Sequence, residues 1–488
     1  MTQQYKPVVW SIAGSDNSGG AGIQADNQVF QAFGCHAGNI VTAITAQNSK
    51  GVSSVHLASR VVFDKQWLTL RQELPAEVIK LGMLGSADIV EALMAKLAIF
   101  DGTVVCDPVL TASAGGSLMD KPQSYLPLLD HVDVLLPNQQ EFVTLFGPDA
   151  ASQLELERQA LQISKAYRLD LIITGGENRF SDDVASDLCV MDGEIFWMHS
   201  PRNTTHNTHG TGCSFSSAFA AALACGYEKV DACVLAKAYL NQALAQPALF
   251  RGERGALQHA GFPAAIRYLP HISRTCEVKI PCFPVIKERL GIYPVVNSID
   301  WLQKCLAEGV KTIQLRVKNM EPQALDTMVQ QAAALGHEYN ARLFINDYWQ
   351  LAIKHNAYGV HLGQEDLDEA DIVAIADAGL HLGVSTHSWF EIARAHSLQP
   401  SYIAIGPIYE TTTKQMRFAP QGLTQLAQWV RMIGGEYPLV AIGGIDLTNA
   451  GAVLATGVGS VAMVRAVTDA ADYRHAIARF QQLHIEAP

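Results

Sequence analysis

The feature that most narrows the possible folds is a series of apolar, β-branched runs through the second half of the chain. They lie at Gly291–Val296, Thr312–Leu315, Leu343–Ile345, Tyr358–Leu362, His381–Val384, Tyr402–Ile405, Leu439–Ile442 and Ser460–Val464. Most are separated by a segment of helix length. Parallel strands need such crossovers, and strands covered on both faces are apolar throughout rather than alternating. Eight such units predict a closed TIM (βα)8 barrel, in which the polar residues directly after each run converge on one rim.

The first half carries a related but less regular pattern. From Val8 onward, short β-branched runs alternate with helical periodicities, which predicts an α/β fold. Gly102–Val109 is a strand candidate, preceded by Ile89, Leu93 and Leu97 at the spacing of an amphipathic helix, and Leu169–Thr174 repeats the strand signal. The pattern breaks over His271–Lys287 (HISRTCEVKIPCFPVIK), with two prolines and no apolar period. Residues 1–270 and 288–488 are therefore expected to form separate domains joined by a 271–287 linker.

Composition removes several functional classes. With 35 Lys+Arg against 47 Asp+Glu the formal charge is −12, which argues against a basic nucleic-acid binder. The longest small, apolar run, Phe215–Cys225, is well short of the roughly 20 residues that span a bilayer, so no membrane partner is expected. Met1–Trp10 has no export-leader pattern, and nine cysteines without a C-x-x-C pair suit a reducing, cytoplasmic setting.

Three segments of the first half carry chemistry. Gly14–Asp26 (GSDNSGGAGIQAD) places four glycines among polar residues, which lets backbone turn sharply or approach a ligand. Leu136–Glu141 (LPNQQE) offers an amide and a carboxylate at a strand end, suited to Mg²⁺ and phosphate. Asn207–Cys213 (NTHGTGC) runs into the helical stretch Ser214–Leu223, so its free amides and the helix dipole favour an anion. His206 and His209, three apart on a loop with no third ligand in view, are not expected to bind metal.

Together with TAITAQN at Thr42–Asn48, KLGML at Lys80–Leu84 and DPV at Asp107–Val109, these segments resemble the ribokinase-like vitamin kinases, specifically the hydroxymethylpyrimidine/phosphomethylpyrimidine kinase family. The resemblance implies a ribokinase-like fold and ATP-dependent phosphorylation of a hydroxymethylpyrimidine and its monophosphate. It implies that Asp26 and Gln47 hold the pyrimidine, that Asn138 and Glu141 hold the Mg²⁺–phosphate region of ATP, and that Gly210, Thr211 and Gly212 hold the transferred phosphate. Cys213 stands where related kinases carry an aspartate base. A thiol at a helix N-terminus has its pKa lowered, so Cys213 is expected to act as the catalytic base. Two positions depart from the family pattern: in Ile173–Glu177 (ITGGE), Thr174 replaces a lysine and Glu177 a histidine, which removes one phosphate-neutralising cation. A pyridoxal-type kinase and a pyrimidine-binding sensor are the alternatives for this half. Cys213 argues against the former, while Thr174 is compatible with the latter.

In the second half, QLRVK at Gln314–Lys318 sends Gln314, Arg316 and Lys318 to one side, and two cations with an amide at a barrel mouth suggest phosphate. The next two runs end in Asn346–Asp347 and His361–Asp366, and carboxylates on neighbouring strand ends can share Mg²⁺. GVSTH at Gly383–His387, GPIYETTTK at Gly406–Lys414 and the glycines Gly443–Gly444 complete the rim. In this order the motifs resemble thiamine-phosphate synthase, over Leu290 to about Ala478. By that likeness Gln314 orients the pyrimidine, and Arg316, Lys318, Asn346, Ser385 and Lys414 hold its pyrophosphate. Asp347 and Asp366 bind Mg²⁺, Thr411 and Thr413 hold the thiazole, and Gly444 holds the thiazole phosphate. Arg465, in VRAV, replaces a serine of the family and is expected to reach that phosphate. Consecutive activities in one chain are thus expected, with small-molecule substrates as partners and room for a homo-oligomer.

Overall fold

In the computed structural model, residues 5–48, 50–111, 118–119, 121–175, 183–247, 255–276, 281–411 and 419–486 are described. The contacts divide the chain into two units, Met1–Val278 and Lys279–Pro488.

The first unit is built from β1 (Val8–Asp16), α1 (Gly22–Ala32), β2 (His36–Asn48), β3 (Gly51–Leu57), α2 (Arg60–Glu73), β4 (Val78–Leu81), α3 (Ala87–Leu97) and β5 (Thr103–Cys106). It continues with α4 (Tyr125–Leu128), β6 (Val134–Leu135), α5 (Gln139–Phe146), α6 (Gln153–Tyr167), β7 (Asp170–Ile173), β8 (Val184–Met191), β9 (Glu194–Pro201), α7 (Thr211–Ala224), α8 (Lys229–Leu244) and β10 (His271–Ser273). One sheet holds all the strands in the order β10-β9-β8-β7-β6-β5-β4-β1-β2-β3. Its centre is parallel, β1 pairing with both β2 and β4, while β3 and the β8–β10 meander run antiparallel at the two edges.

Local sequence explains the helices around this sheet. Ser59, Ser86 and Ser152 cap α2, α3 and α6 by accepting a first-turn amide. The spacing of Ile89, Leu93 and Leu97 turns one face of α3 into the core, where all three are buried. By contrast, α7 is buried continuously from Ser214 to Ala222, and its small residues admit α8 alongside. Trp10 and Trp67 close that core edge to face at 5.2 Å.

The second unit is a closed barrel of eight parallel strands, β11 (Gly291–Val296), β12 (Thr312–Leu315), β13 (Arg342–Asn346), β14 (Gly359–Leu362), β15 (His381–Thr386), β16 (Tyr402–Ile405), β17 (Leu439–Ala441) and β18 (Ser460–Met463). Pairing of Gly291 with Ser460 joins the last strand to the first. All eight lie on the runs expected from the sequence, because most of each buried length is apolar. Tyr293, Phe344 and Tyr402 fill the interior as a packed cluster of rings.

The expected 271–287 linker needs correction. His271–Ser273 belongs to the sheet of the first unit, with Ile272 opposite Met198. Phe283 and Ile286 are buried, and Ser401 of the barrel donates to the Pro284 carbonyl at 2.7 Å. A strand of three residues is too short to show a period in sequence. Among the described residues, no helix is long and apolar enough to cross a membrane.

Candidate active sites

In the first unit the two glycine-rich segments meet. Gly210 has φ +86°, and a Cβ there would lie 1.9 Å from the Gly20 carbonyl oxygen, so only glycine lets these loops touch. Asp16 organises the junction. Its carboxylate accepts the Ser18 amide and hydroxyl, the Ala21 amide, and His209 Nε2 at 2.9 Å. Burial pushes Asp16 up, but these donors, His209 foremost, outweigh it and hold the carboxyl well below the usual range. His209 is thus engaged with Asp16, and its ring stands 3.4 Å from the Gln47 amide. The resulting pocket is lined by Asp16, Gln47, Lys80, Met83 and Cys213, which places two of the expected site residues, Gln47 and Cys213, at one wall.

Asp26 is not in that wall. It is fully buried, accepting Ser11 Oγ, Ser217 Oγ at 2.7 Å and Lys80 Nζ at 3.0 Å. With its acceptor sites turned to protein donors, Asp26 holds Lys80 in place behind the pocket lining. Lys80 also stands 4.0 Å from Asp107, which accepts Ser216 Oγ at 3.0 Å. Burial works against the Lys80 charge, yet Asp26, then Cys213 and Asp107, raise it above its ordinary value. Burial lifts Asp107 above the usual carboxylate range, with Lys80 opposing.

The expectation for Cys213 also changes. Burial pushes its thiol up to about 12, Asp107 and Asp26 add to the rise, and Lys80 and the Gly22 amide only partly oppose it. The helix N-terminus does lie there, since Ser214 makes the first internal bond of α7 to Gly210 and no side chain caps the turn. Burial, with Asp107 and Asp26 adding to it, outweighs what the helix end contributes and favours the neutral thiol. The amides of Thr211 and Gly212 remain available to an anion.

Asn138 and Glu141 form a capping box on α5. The Asn138 side chain accepts the Glu141 amide at 2.9 Å, and Glu141 Oε2 accepts the Asn138 amide at 3.0 Å. The other Glu141 oxygen faces the Leu110 amide at 3.5 Å, and the side chain is buried. Both oxygens therefore face backbone donors rather than an open cation site, because N-x-x-E is also the spacing of a capping box. Thr174 pairs with Asn138 by backbone and lines a second groove with Gln139, Ser186 and Trp197. Glu177 lies outside the described residues.

In the barrel, one rim gathers residues from successive strand ends. Lys318, after β12, donates to Asp347 Oδ2 at 2.7 Å, and Asp347, after β13, takes a left-handed φ of +65°. Asp366, after β14, accepts the Gly363 amide at 3.0 Å. Burial raises its pKa, and the neighbouring Asp347 charge raises it further. Two carboxylates in mutual repulsion are a donor set fit for a hard divalent cation. Among the described residues no group of three or more His, Cys, Asp or Glu side chains is arranged as a metal site. Any cation there would take its remaining oxygens from substrate and water, as Mg²⁺ commonly does.

Below the rim, a hydrogen-bonded chain that the sequence did not disclose crosses the barrel. Gln314 Nε2 lies 3.5 Å from the Tyr293 hydroxyl, which meets the Tyr402 hydroxyl at 2.7 Å. Tyr402 lies 2.6 Å from His361 Nδ1, and His361 Nε2 lies 2.8 Å from Ser385 Oγ. The chain thereby joins two expected site residues, Gln314 and Ser385. Burial raises both phenols, Tyr402 most, so they stay neutral. Asn346 is buried at the end of β13, Arg316 is half-buried, and Arg465 is exposed after β18. Gly444 has φ +65°, and a Cβ there would lie 2.5 Å from the Glu410 carbonyl oxygen, so the turn after β17 requires glycine. Thr411 is half-buried, whereas Thr413 and Lys414 lie outside the described residues.

Residues 16–257 match the family model of phosphomethylpyrimidine kinase, and residues 284–467 match that of thiamine monophosphate synthase. The thiamine-phosphate synthase of Salmonella typhimurium is 59% identical over 198 residues, 41% of this chain and 93% of that protein. The pyridoxal kinase of Staphylococcus aureus is a structural neighbour with TM-score 0.50 and 26% identity, covering 55% of this chain and 98% of its own. The phosphomethylpyrimidine kinase of Clostridium difficile is 30% identical, with TM-score 0.44, over 49% of this chain and 100% of its own.

Proposed function

The chain belongs to the thiamine-phosphate synthase family and carries a phosphomethylpyrimidine kinase unit ahead of that barrel, and from this premise we propose how its residues divide the two reactions. It is a bifunctional enzyme of thiamine biosynthesis, using ATP in the first unit and releasing pyrophosphate in the second.

In the kinase unit, Gln47 and Cys213 hold the pyrimidine with its hydroxymethyl group toward the first turn of α7, where the amides of Thr211 and Gly212 take the phosphoryl group. Lys80, fixed by Asp26, supplies the positive charge at that pocket. Phosphoryl transfer through a loose transition state asks little of a base, because the P–O bond to the leaving group is largely broken before the hydroxyl must lose its proton. A neutral Cys213 suits this course by donating a hydrogen bond and shaping the pocket.

In the barrel, Gln314 orients the pyrimidine ring, its amide positioned by Tyr293. Arg316, Lys318, Asn346, Ser385 and Lys414 hold the pyrophosphate. Asp347 and Asp366 would hold Mg²⁺, which when bound supplies charge to the departing pyrophosphate. Thr411, Thr413, Gly444 and Arg465 hold the thiazole phosphate so that its ring nitrogen faces the pyrimidine carbon. The C–O bond to pyrophosphate breaks and the C–N bond forms, and leaving-group stabilisation by the cationic rim lowers the barrier.

The observation that carries this reading is the meeting of Lys318, Asp347 and Asp366 from three successive strand ends. Supplying the full chain with hydroxymethylpyrimidine, ATP, Mg²⁺ and thiazole phosphate should yield thiamine phosphate and pyrophosphate, with Asp347→Asn/Asp366→Asn stopping the second step while the pyrimidine diphosphate accumulates. Unchanged condensation in that double variant would refute the barrel assignment.

A further inference from the structure

Nine cysteines are free, and one pair stands apart by its position. Cys35 follows α1 and is buried, whereas Cys225 closes α7 and is exposed. Their sulfurs are 3.6 Å apart although 190 residues separate them in sequence. Cys35 Sγ also lies 3.6 Å from the Ala221 carbonyl, and Cys225 Sγ lies 3.4 Å from the Phe33 carbonyl, so each thiol is held against the other's element. Cys189 and Cys233 also meet, but both are closed to solvent.

We propose that Cys35 and Cys225 form a hydroperoxide-reactive dithiol site whose oxidation to a disulfide slows the kinase unit. The exposed partner reacts first. The Cys225 thiolate attacks one oxygen of the peroxide, the O–O bond breaks, and the departing hydroxide takes up a proton, leaving a sulfenic acid and water. The Cys35 thiol then attacks that sulfur, an S–S bond forms, and a second water leaves with the remaining proton. Overall two thiols and one hydrogen peroxide give one disulfide and two waters, the peroxide being reduced. The contact favours this order, since the hydrogen bond from Cys35 lowers the Cys225 pKa.

The consequence for activity follows from what the two helices carry. α1 bears Asp26, α7 begins at the Gly210 turn, and Ser217 of α7 donates to Asp26 at 2.7 Å. A disulfide requires the sulfurs to close from 3.6 Å to about 2.05 Å, a movement of roughly 1.5 Å shared between the two side chains and the end of α7 that carries Cys225. A continuously buried helix transmits such a shift along its length to the phosphate turn, and misplacements of about 1 Å are enough to slow a reaction strongly.

The reduced full-length chain should be exposed to submillimolar hydrogen peroxide, and free thiols, disulfide-linked peptides and both activities followed. The expected result is loss of two thiols, a Cys35–Cys225 linked peptide, and a severalfold fall in kinase turnover that dithiothreitol reverses, with synthase turnover unchanged. Cys225→Ser and Cys225→Ala, at an exposed position, should fold normally and resist the loss. A loss that persists in both variants would place the oxidation on another thiol such as Cys213 and overturn the proposal. So would a Cys35–Cys225 disulfide that leaves kinase turnover unaltered, or an oxidised chain without that linkage.

Discussion

The Lys80 ammonium donates to Asp26 at 3.0 Å with both side chains sealed from solvent, directly beneath the pocket that Lys80 itself lines. This makes Asp26 a positioning residue. Removing one member of a buried ion pair costs about 3–5 kcal/mol, because the other charge is left uncompensated. Asp26→Asn is expected to destabilise the first unit by an amount in that range, read as a lower midpoint of its unfolding transition in urea. Substrate affinity measured on the folded fraction should fall less than tenfold, and a selective loss of pyrimidine binding with full stability would return Asp26 to the pocket wall.

Cys213 tests whether the kinase needs a thiolate. With its thiol pushed up to about 12, the neutral form prevails throughout the working range. Loss of a true general base costs about 10²- to 10⁴-fold. Cys213→Ala should instead lower kcat by about tenfold or less, the scale of a lost neutral hydrogen bond and its packing. The pH dependence of kcat between about 6 and 9 should be the same in the variant as in the parent, since the raised thiol does not titrate in that range. A hundredfold loss with an altered profile would restore the base.

The barrel was legible from sequence because a strand covered on both faces is mostly apolar along its length, as Tyr402–Ile405 and Leu439–Ala441 are. The rim followed from it, since Lys318, Asp347 and Asp366 simply succeed those strands. What spacing does not disclose is the pairing inside the elements. Lys80 sits in VIKL and His361 in GVHL, fully buried strands in which a charged or titratable side chain has no place unless it is paired. That anomaly was the available signal. Their partners, Asp26, Tyr402 and Ser385, come from distant segments and have no signature in spacing. Asn138 and Glu141 show the converse, a spacing that served a helix cap as well as it would serve a metal.

Asp366 gives a pH-dependent prediction. Burial and the adjacent Asp347 raise its pKa, so on acidification it takes up a proton while an ordinary carboxylate is still charged. Lowering the pH from about 7 to about 5 should therefore raise the Mg²⁺ concentration needed for half-maximal synthase activity. Without metal the sign for stability is opposite. A raised carboxylate stabilises the fold below its unfolded pKa, and that contribution is lost as pH rises through the folded value, which urea titrations of the metal-free barrel would detect. Asp347→Asn removes the neighbouring charge and should flatten both dependences. Retention of both in full would mean that the carboxylates do not interact.

Tyr402 is the centre of the buried chain from Gln314 to Ser385, its hydroxyl lying 2.7 Å from that of Tyr293 and 2.6 Å from His361 Nδ1. Tyr402→Phe keeps the ring packing against Phe344 and removes only the hydroxyl that both neighbours use. Leaving buried polar groups less well satisfied costs about 1–3 kcal/mol. Barrel stability should fall by that amount, and the KM for the pyrimidine diphosphate should rise severalfold as Gln314 loses its fixed support. Kinase kinetics should not move, because the chain lies wholly within the barrel. An unchanged KM with reduced stability would make the chain a core feature without a part in substrate orientation.

Arg465 distinguishes two uses of a charge at the barrel mouth. It is exposed two residues past the end of β18, and the Gly444 turn follows β17, the strand paired with β18. A guanidinium reaching the thiazole phosphate would bind it bidentately, a stronger contact than the serine hydroxyl it replaces in the family pattern. Turned outward, it would be a solvated surface side chain whose loss changes nothing. The location of phosphate sites after strands seven and eight of such barrels favours the first use. Arg465→Ala should raise the KM for thiazole phosphate about tenfold, equivalent to about 1.4 kcal/mol. The KM for the pyrimidine diphosphate should stay constant, because that pyrophosphate is assigned to Arg316, Lys318 and Lys414. Arg465→Lys should recover only part of the loss, since an ammonium restores the charge but not the two parallel hydrogen bonds. Identical KM values in the parent and Arg465→Ala would assign the arginine to solvent and leave the phosphate to the Gly444 turn alone.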